Sequence, residues 1–140
     1  MIVVDTSAVL AALAGRPADE RLAARLAGDP DLHAPHLIDV EIIHALRGLV
    51  AGGHVTEDRA ADVRSDFAEL SIVRYPHHPL ADRMWELRHN LTAYDAAFVA
   101  LSEALRTPLI TCDARLASTG ARGTRIELFA SKPLRKRKQT

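Results

Sequence analysis

Met1-Ile2-Val3-Val4-Asp5-Thr6-Ser7 opens the chain, and its reading decides the fold. Ile2, Val3 and Val4 are consecutive and β-branched, with no polar residue alternating between them. A run of this kind predicts a short strand over Met1–Val4 that is buried on both faces. Asp-Thr-Ser ends the run, and Ser7–Ala14 reads as a helix that stops at Gly15. The same unit recurs late in the chain: Leu109-Ile-Thr-Cys-Asp113 predicts a strand over Pro108–Cys112, again closed by an acid, before a helical turn over Ala114–Ser118.

Between these units strands alternate with helices. Pro17–Ala27 reads as a helix with Pro17 near its first turn, and Leu32–Ala34 as a short strand. After Pro35, Ile38, Ile42, Ala45, Leu46 and Leu49 recur at helical spacing until Gly52-Gly53. Thr56 caps a helix running to about Leu70. Ile72–Tyr75 is a strand, and Leu80 to about Asn90 a helix. Thr92 starts another helix, with Tyr94, Phe98, Leu101 and Leu105 sharing a stripe. Arg125–Phe129 is the last strand. The alternation predicts an α/β fold: a mostly parallel central sheet with helices on both faces. Ligands of open parallel sheets bind beyond the carboxyl ends of the strands, which is where Asp5 and Asp113 stand.

The chain has 140 residues, 48% of them hydrophobic and 26% charged, which suits one domain with a sizeable core. No apolar run approaches the roughly 20 residues of a membrane span, and no basic segment precedes the first strand, so a cytoplasmic protein without a signal peptide is expected. The single Cys112 excludes a disulfide framework; it reads as strand core. His77-His78 lies between prolines, and the seven histidines show no metal-ligand spacing. Trp85 reads as partly buried packing, and an aromatic content of 4% argues against a base-stacking platform. The formal net charge of +0 conceals a basic tail over 132–140: Lys132, Arg135, Lys136, Arg137 and Lys138 leave 13 of the 18 basic residues to balance 18 acidic ones, a formal −5 for the body. The expected organisation is one domain over 1–131 and a flexible tail, either solvated or an arm for phosphates or acidic partners.

Four acids carry the functional reading. Asp5 and Asp113 end strands; Glu41 and Asp95 lie at the margins of apolar helical stripes, Glu41 beside Ile38 and Ala45, Asp95 beside Val99 and Ser102. Taken singly, helix capping and the macrodipole account for each. Taken together, acids projecting along buried faces call for a cation, because clustered carboxylates repel and lose hydration. Mg²⁺ or Mn²⁺ suits an all-oxygen site. Thr6, Ser7 and Thr111 flank the strand-end acids and could orient them. Arg88 and Arg115 flank the later acids as possible phosphate contacts or ion-pair partners.

The stretches Ile2-Val-Val-Asp-Thr-Ser-Ala, Glu41 in the helix after Ala34-Pro35, Asn90-Leu-Thr-Ala-Tyr-Asp-Ala-Ala-Phe-Val-Ala-Leu-Ser-Glu and Leu109-Ile-Thr-Cys-Asp-Ala-Arg-Leu together resemble a PIN domain of the VapC toxin class. The likeness reaches to about Phe129. It implies a PIN-like three-layer α/β/α fold and Mg²⁺- or Mn²⁺-dependent endoribonuclease activity. It also implies a VapB-type antitoxin partner and a homodimer. By the same resemblance Asp5, Glu41, Asp95 and Asp113 are the catalytic, metal-holding acids, and Thr111 is their supporting hydroxyl. One departure stands out: some members carry a further acid or amide soon after the fourth acid, whereas here Ala114-Arg-Leu-Ala-Ser follows, so a second metal is expected to be held weakly or to take ligands from the substrate. The rival readings are a stand-alone RNA-processing nuclease, a non-catalytic binding module of the same fold, and an aspartyl-phosphate phosphatase; the last lacks the second Asp expected two residues after Asp5.

Overall fold

A computed structural model describes residues 1–15, 19–118 and 123–130. Five strands, β1 (Ile2–Val4), β2 (Leu32–Pro35), β3 (Ile72–Tyr75), β4 (Leu109–Thr111) and β5 (Ile126–Leu128), form one sheet in the order β3-β2-β1-β4-β5. Every pairing is parallel. The helices among the described residues are α1 (Thr6–Ala14), α2 (Glu20–Gly28), α3 (Leu37–Ala51), α4 (Glu57–Glu69), α5 (Ala81–Glu86), α6 (Ala93–Leu105) and α7 (Ala114–Ser118). Right-handed crossovers send α1–α4 to one face, as the chain steps outward from β1 to β3, and α5–α6 to the other, as it returns to β4. The three-layer α/β/α arrangement expected from the sequence is the one observed.

The reversal of direction at β1 is what positions the site. Val3 pairs with Leu109 and Val4 with Ile110, so the first and fourth strands are neighbours and their carboxyl ends open on one crevice. Both strands are fully enclosed: Ile2, Val3, Val4, Leu109 and Ile110 have no exposed surface. α6 lies across β1, β2 and β4, and its residues Ala96 to Ser102 are all buried. Its alanines let the helix backbone approach the sheet closely, which brings Asp95, in the first turn, to the same end of the sheet as Asp5.

Local chemistry set most boundaries. Thr56 Oγ1 accepts from the Arg59 amide and Thr92 Oγ1 from the Asp95 amide, so both threonines cap their helices as read. Leu80–Asn90 is not one helix. Pro79 starts a 3₁₀ turn over His78–Leu80, α5 follows, and a second 3₁₀ turn covers Leu87–His89. α2 begins at Glu20 with Asp19 as its cap, later than expected; Pro17 lies outside the described residues, as does the tail over 132–140. Trp85 is 68% exposed, not packed, because Leu80 and Leu87 take the buried side of this segment. Tyr94, in the first turn of α6, is 62% exposed, whereas Phe98 and Leu101, further along the same stripe, are buried. Cys112 lies past the end of β4 and is half-buried; burial pushes its thiol up to about 11, so it stays protonated near neutrality. His77 Nε2 accepts from the Leu37 amide at 3.0 Å, capping α3 from across the chain. No helix among the described residues is long and apolar enough to cross a membrane.

Candidate active site

At the carboxyl end of the sheet the Asp5 amide still donates to Ile110 O, 3.2 Å away, but its side chain turns into the crevice. The carboxylate is the N-cap of α1, Oδ1 accepting from the Ala8 amide at 2.9 Å. It also receives the Ser7 hydroxyl on Oδ1 at 2.7 Å and the Thr111 hydroxyl on Oδ2. With their protons committed to Asp5, the two hydroxyl oxygens accept in turn from the next strand end. Cys112 N donates to Ser7 Oγ at 2.9 Å and Asp113 N to Thr111 Oγ1 at 3.0 Å. Two amide-to-hydroxyl-to-carboxylate relays thus bind the turn carrying Asp113 to Asp5, each bond polarising the next. On the other flank Thr6 Oγ1 donates to Glu41 Oε1 at 2.8 Å. All three hydroxyls singled out in the sequence orient a carboxylate or the loop beside it.

The four acids form an arc. Asp113 raises the pKa of Asp5, and Asp95 raises that of Glu41, so the carboxylates sense one another in two pairs. Arg115 Nη2 joins the pairs: it lies 3.3 Å from Asp113 Oδ2 and 3.7 Å from Asp95 Oδ2. Asp5 is 6% exposed. Burial pushes its carboxyl up to about 6, even though three hydrogen bonds pull it down, and Asp113 adds to the rise. Burial is also the main cause that lifts Glu41 above the usual carboxylate range, with Asp95 adding to it and Thr6 and His44 opposing it. Asp5 and Glu41 therefore lack the compensation that a cation beside them would supply.

The arrangement suits a hard divalent cation by donor chemistry: every side chain is an oxygen ligand, and the cluster already holds the cation that the chain itself supplies, Arg115. As the side chains stand, no group of three His, Cys, Asp or Glu among the described residues converges on one point. The reason is visible in the bonding, since Asp5 and Glu41 are turned toward their hydroxyl donors.

Arg88 is not at this site. Its guanidinium stacks 4.3 Å from the Trp85 ring centroid and donates to Trp85 O. Arg115 is the arginine that reaches the acids, in the ion pairs that are one of the two roles its sequence position offers; that Asp95 is among its partners is seen only in the fold. A recess of about 100 Å³ adjoins Asp95, lined also by Asn90, Leu91, Thr92, Arg115 and Leu116. Asn90 and Leu91 open the stretch that carries the family resemblance, but nothing in the sequence marks them as lining a recess. A larger recess of about 420 Å³ lies at the opposite end of the sheet, beside Thr107, Pro108 and Arg125, away from the four acids.

Parallel sheet, switch point and acidic crevice together define a PIN domain, and the chain belongs to that family, whose model matches residues 2–121. Within it the chain is similar to the VapC ribonucleases. It is 42% identical over 127 residues to "Ribonuclease VapC1" of Mycobacterium tuberculosis, covering 90% of this chain and 96% of that protein. It is 40% identical over 130 residues to "Ribonuclease VapC12" of the same organism, covering 93% and 100%. Its fold superposes with a TM-score of 0.67 on the DNA-bound VapBC of Salmonella typhimurium, over 90% of this chain and 96% of that one. At 17% identity that match speaks for the fold.

Proposed function

We propose that the chain is a cytoplasmic, divalent-metal-dependent endoribonuclease, the toxin of a VapBC-type pair. The observation that carries this is the arc of Asp5, Glu41, Asp95 and Asp113 at the carboxyl ends of β1 and β4, in a chain similar to ribonucleases over nearly its whole length. These four carboxylates would hold Mg²⁺ or Mn²⁺. The ion, when bound, supplies an acidified water and neutralises charge on the phosphate under attack.

The protein's part is to hold the ligands and keep them ionised. The Thr111 and Ser7 hydroxyls hold Asp5 at the carboxyl end of β1, and the Thr6 hydroxyl holds Glu41. Asp95 stands on the first turn of α6, just before the buried stretch Ala96–Ser102. The absence of an acid or amide in Ala114–Ser118 favours one firmly held ion over two. With water as nucleophile and the 3′-oxygen as leaving group, the course that the likeness to PIN-domain ribonucleases implies, the products would carry a 5′-phosphate and a 3′-hydroxyl.

A VapB-type antitoxin and a second copy of the chain are the proposed partners, docking on α3 and α4. Val40 and Ile43 stand exposed on α3, and a recess of about 330 Å³ between the two helices is walled by Ile42, Ile43, Phe67 and Ala68 with Asp39, Arg64 and Arg74. Apolar walls rimmed by charge fit an amphipathic protein segment. Protection of residues 37–69 in hydrogen exchange when the neighbouring-gene antitoxin is added is the expected outcome; unchanged exchange there refutes this surface.

Purified protein incubated with structured RNAs tests the activity. Cleavage in Mg²⁺, its loss in EDTA and its return on adding back Mg²⁺ are expected. Cleavage that continues undiminished in EDTA contradicts the proposal.

A further inference from the structure

The arginine seated in the acidic arc has a role of its own. Arg115 is the second residue of the short helix α7, with its amide bonded to Asp113 Oδ1 at 2.9 Å, so its backbone is fixed beside the acids whatever its side chain does. The guanidinium meets the other oxygen of Asp113 and reaches Asp95 Oδ2. These carboxylates belong to two different elements, α6 and the turn after β4, and they are ligands that the proposed metal site needs. A guanidinium and a divalent ion cannot both occupy them: the charges repel, and each oxygen pointed at Nη2 is an oxygen turned from the ion. The side chain is nevertheless 72% exposed. Its ion pairs are thus water-screened and weak, and leaving them costs little. Arg106, by contrast, is an exposed arginine at the C-cap of α6, at the opposite end of that helix from Asp95.

Resting on the metal-dependent reading above, we infer that Arg115 is an internal counter-ion. It bridges Asp95 and Asp113 while the metal is absent, and it is displaced from them when the metal binds. In the metal-free protein it relieves the repulsion within the arc; once displaced, it stands at the rim of the recess beside Asp95, where a phosphate would approach. Metal uptake and arginine release are then one exchange of cations, and the apparent metal affinity is lowered by the competition.

The test uses the full chain, with Mn²⁺ alone as the probe followed by electron paramagnetic resonance, and side-chain Nε–Hε NMR of ¹⁵N-arginine-labelled protein titrated with Mg²⁺. Arg115→Ala is expected to bind Mn²⁺ about two- to ten-fold more tightly than wild type, the range of one or two exposed ion pairs. Arg106→Ala, which removes the same charge away from the arc, is expected to leave the affinity unchanged. The Arg115 Nε resonance of the wild type is expected to move with Mg²⁺ at the same midpoint as ion binding. Equal Mn²⁺ affinity in wild type and Arg115→Ala overturns the counter-ion role while leaving the metal site standing. An Arg115 resonance that Mg²⁺ does not move overturns the displacement even if affinity changes. Absence of Mn²⁺ binding in both proteins instead sinks the metal-dependent reading itself.

Discussion

Asp5 and Glu103 are both carboxylates drawn out of water, at opposite ends of the same sheet, and they are treated in opposite ways. Burial raises the pKa of each. At Glu103 the fork of Arg83, with contacts of 2.7 and 3.1 Å, and the Thr124 hydroxyl at 2.8 Å more than offset it, so the group lies below the usual range. At Asp5 the partners are two hydroxyls and one amide, all neutral, and the carboxyl stays raised at about 6. An acid whose role is to tie α6 to the segment before β5 is given a cation of its own. An acid left without one at a strand's carboxyl end, beside three others, has compensation missing that an ion can supply.

The largest effect should separate the two ends by activity. Asp95→Asn is expected to lower RNA cleavage by well over a hundred-fold, since even partners that only orient metal ligands are worth about 10–100-fold, with an unchanged far-UV spectrum. Full activity in that variant removes Asp95 from the site. Mn²⁺ uptake by the metal-free wild type should also weaken as pH drops through about 6, where unliganded Asp5 takes up a proton; an affinity independent of pH between 5 and 7 contradicts the role of Asp5.

Stability should separate them with opposite signs. The folded pKa of Asp5 lies above its unfolded value of 3.8, so its contribution is fully present below about pH 4 and is lost as pH rises through about 6. Asp5→Asn should therefore stabilise the metal-free protein at pH 7 by up to about 3 kcal/mol and by little at pH 4, because Asn can keep the cap of α1. Glu103 has the reverse linkage: its lowered pKa gives stability above its unfolded value of 4.5, lost as pH falls through the folded value. Glu103→Gln should destabilise at pH 7. Melting curves at the two pH values read both, and a shift of the same sign for the two variants at pH 7 breaks the comparison.

Thr111→Val should weaken Mn²⁺ binding by about ten- to a hundred-fold, because it removes both the hydroxyl that orients Asp5 and the acceptor of the Asp113 amide. Calorimetry checks this, and unaltered affinity assigns Thr111 to packing alone. The smallest effect is Arg83→Ala. Its ion pairs are partly exposed, so a loss of about 1 kcal/mol or less is expected, with cleavage retained; loss of cleavage would link the two ends of the sheet.

The elements themselves were legible because their signals are local. An unbroken β-branched run before Asp5, threonine caps at Thr56 and Thr92, and Gly52-Gly53 after a periodic stretch each act within a few residues. The four acids were legible in the same way, as carboxylates misplaced at the edges of apolar runs, and their order added the family likeness. Adjacency of β1 and β4 is different in kind. It follows from the chain reversing direction at β1, and no short window of sequence records that. The pairing of Arg115 with Asp95 depends on that adjacency, since it joins α6 to the turn after β4, and so it was out of reach. Trp85 misled because hydrophobic content predicts burial only on average; a short segment bracketed by 3₁₀ turns had two leucines to bury and no room for the indole.

The claim that the carboxyl-end acids await a cation is tested most directly by calorimetric titration of Mn²⁺ into the metal-free protein at pH 7.5, beside Asp95→Asn. One saturable site in the wild type, lost or greatly weakened in the variant, is the predicted result. No binding in the wild type, or binding that Asp95→Asn leaves intact, would contradict it.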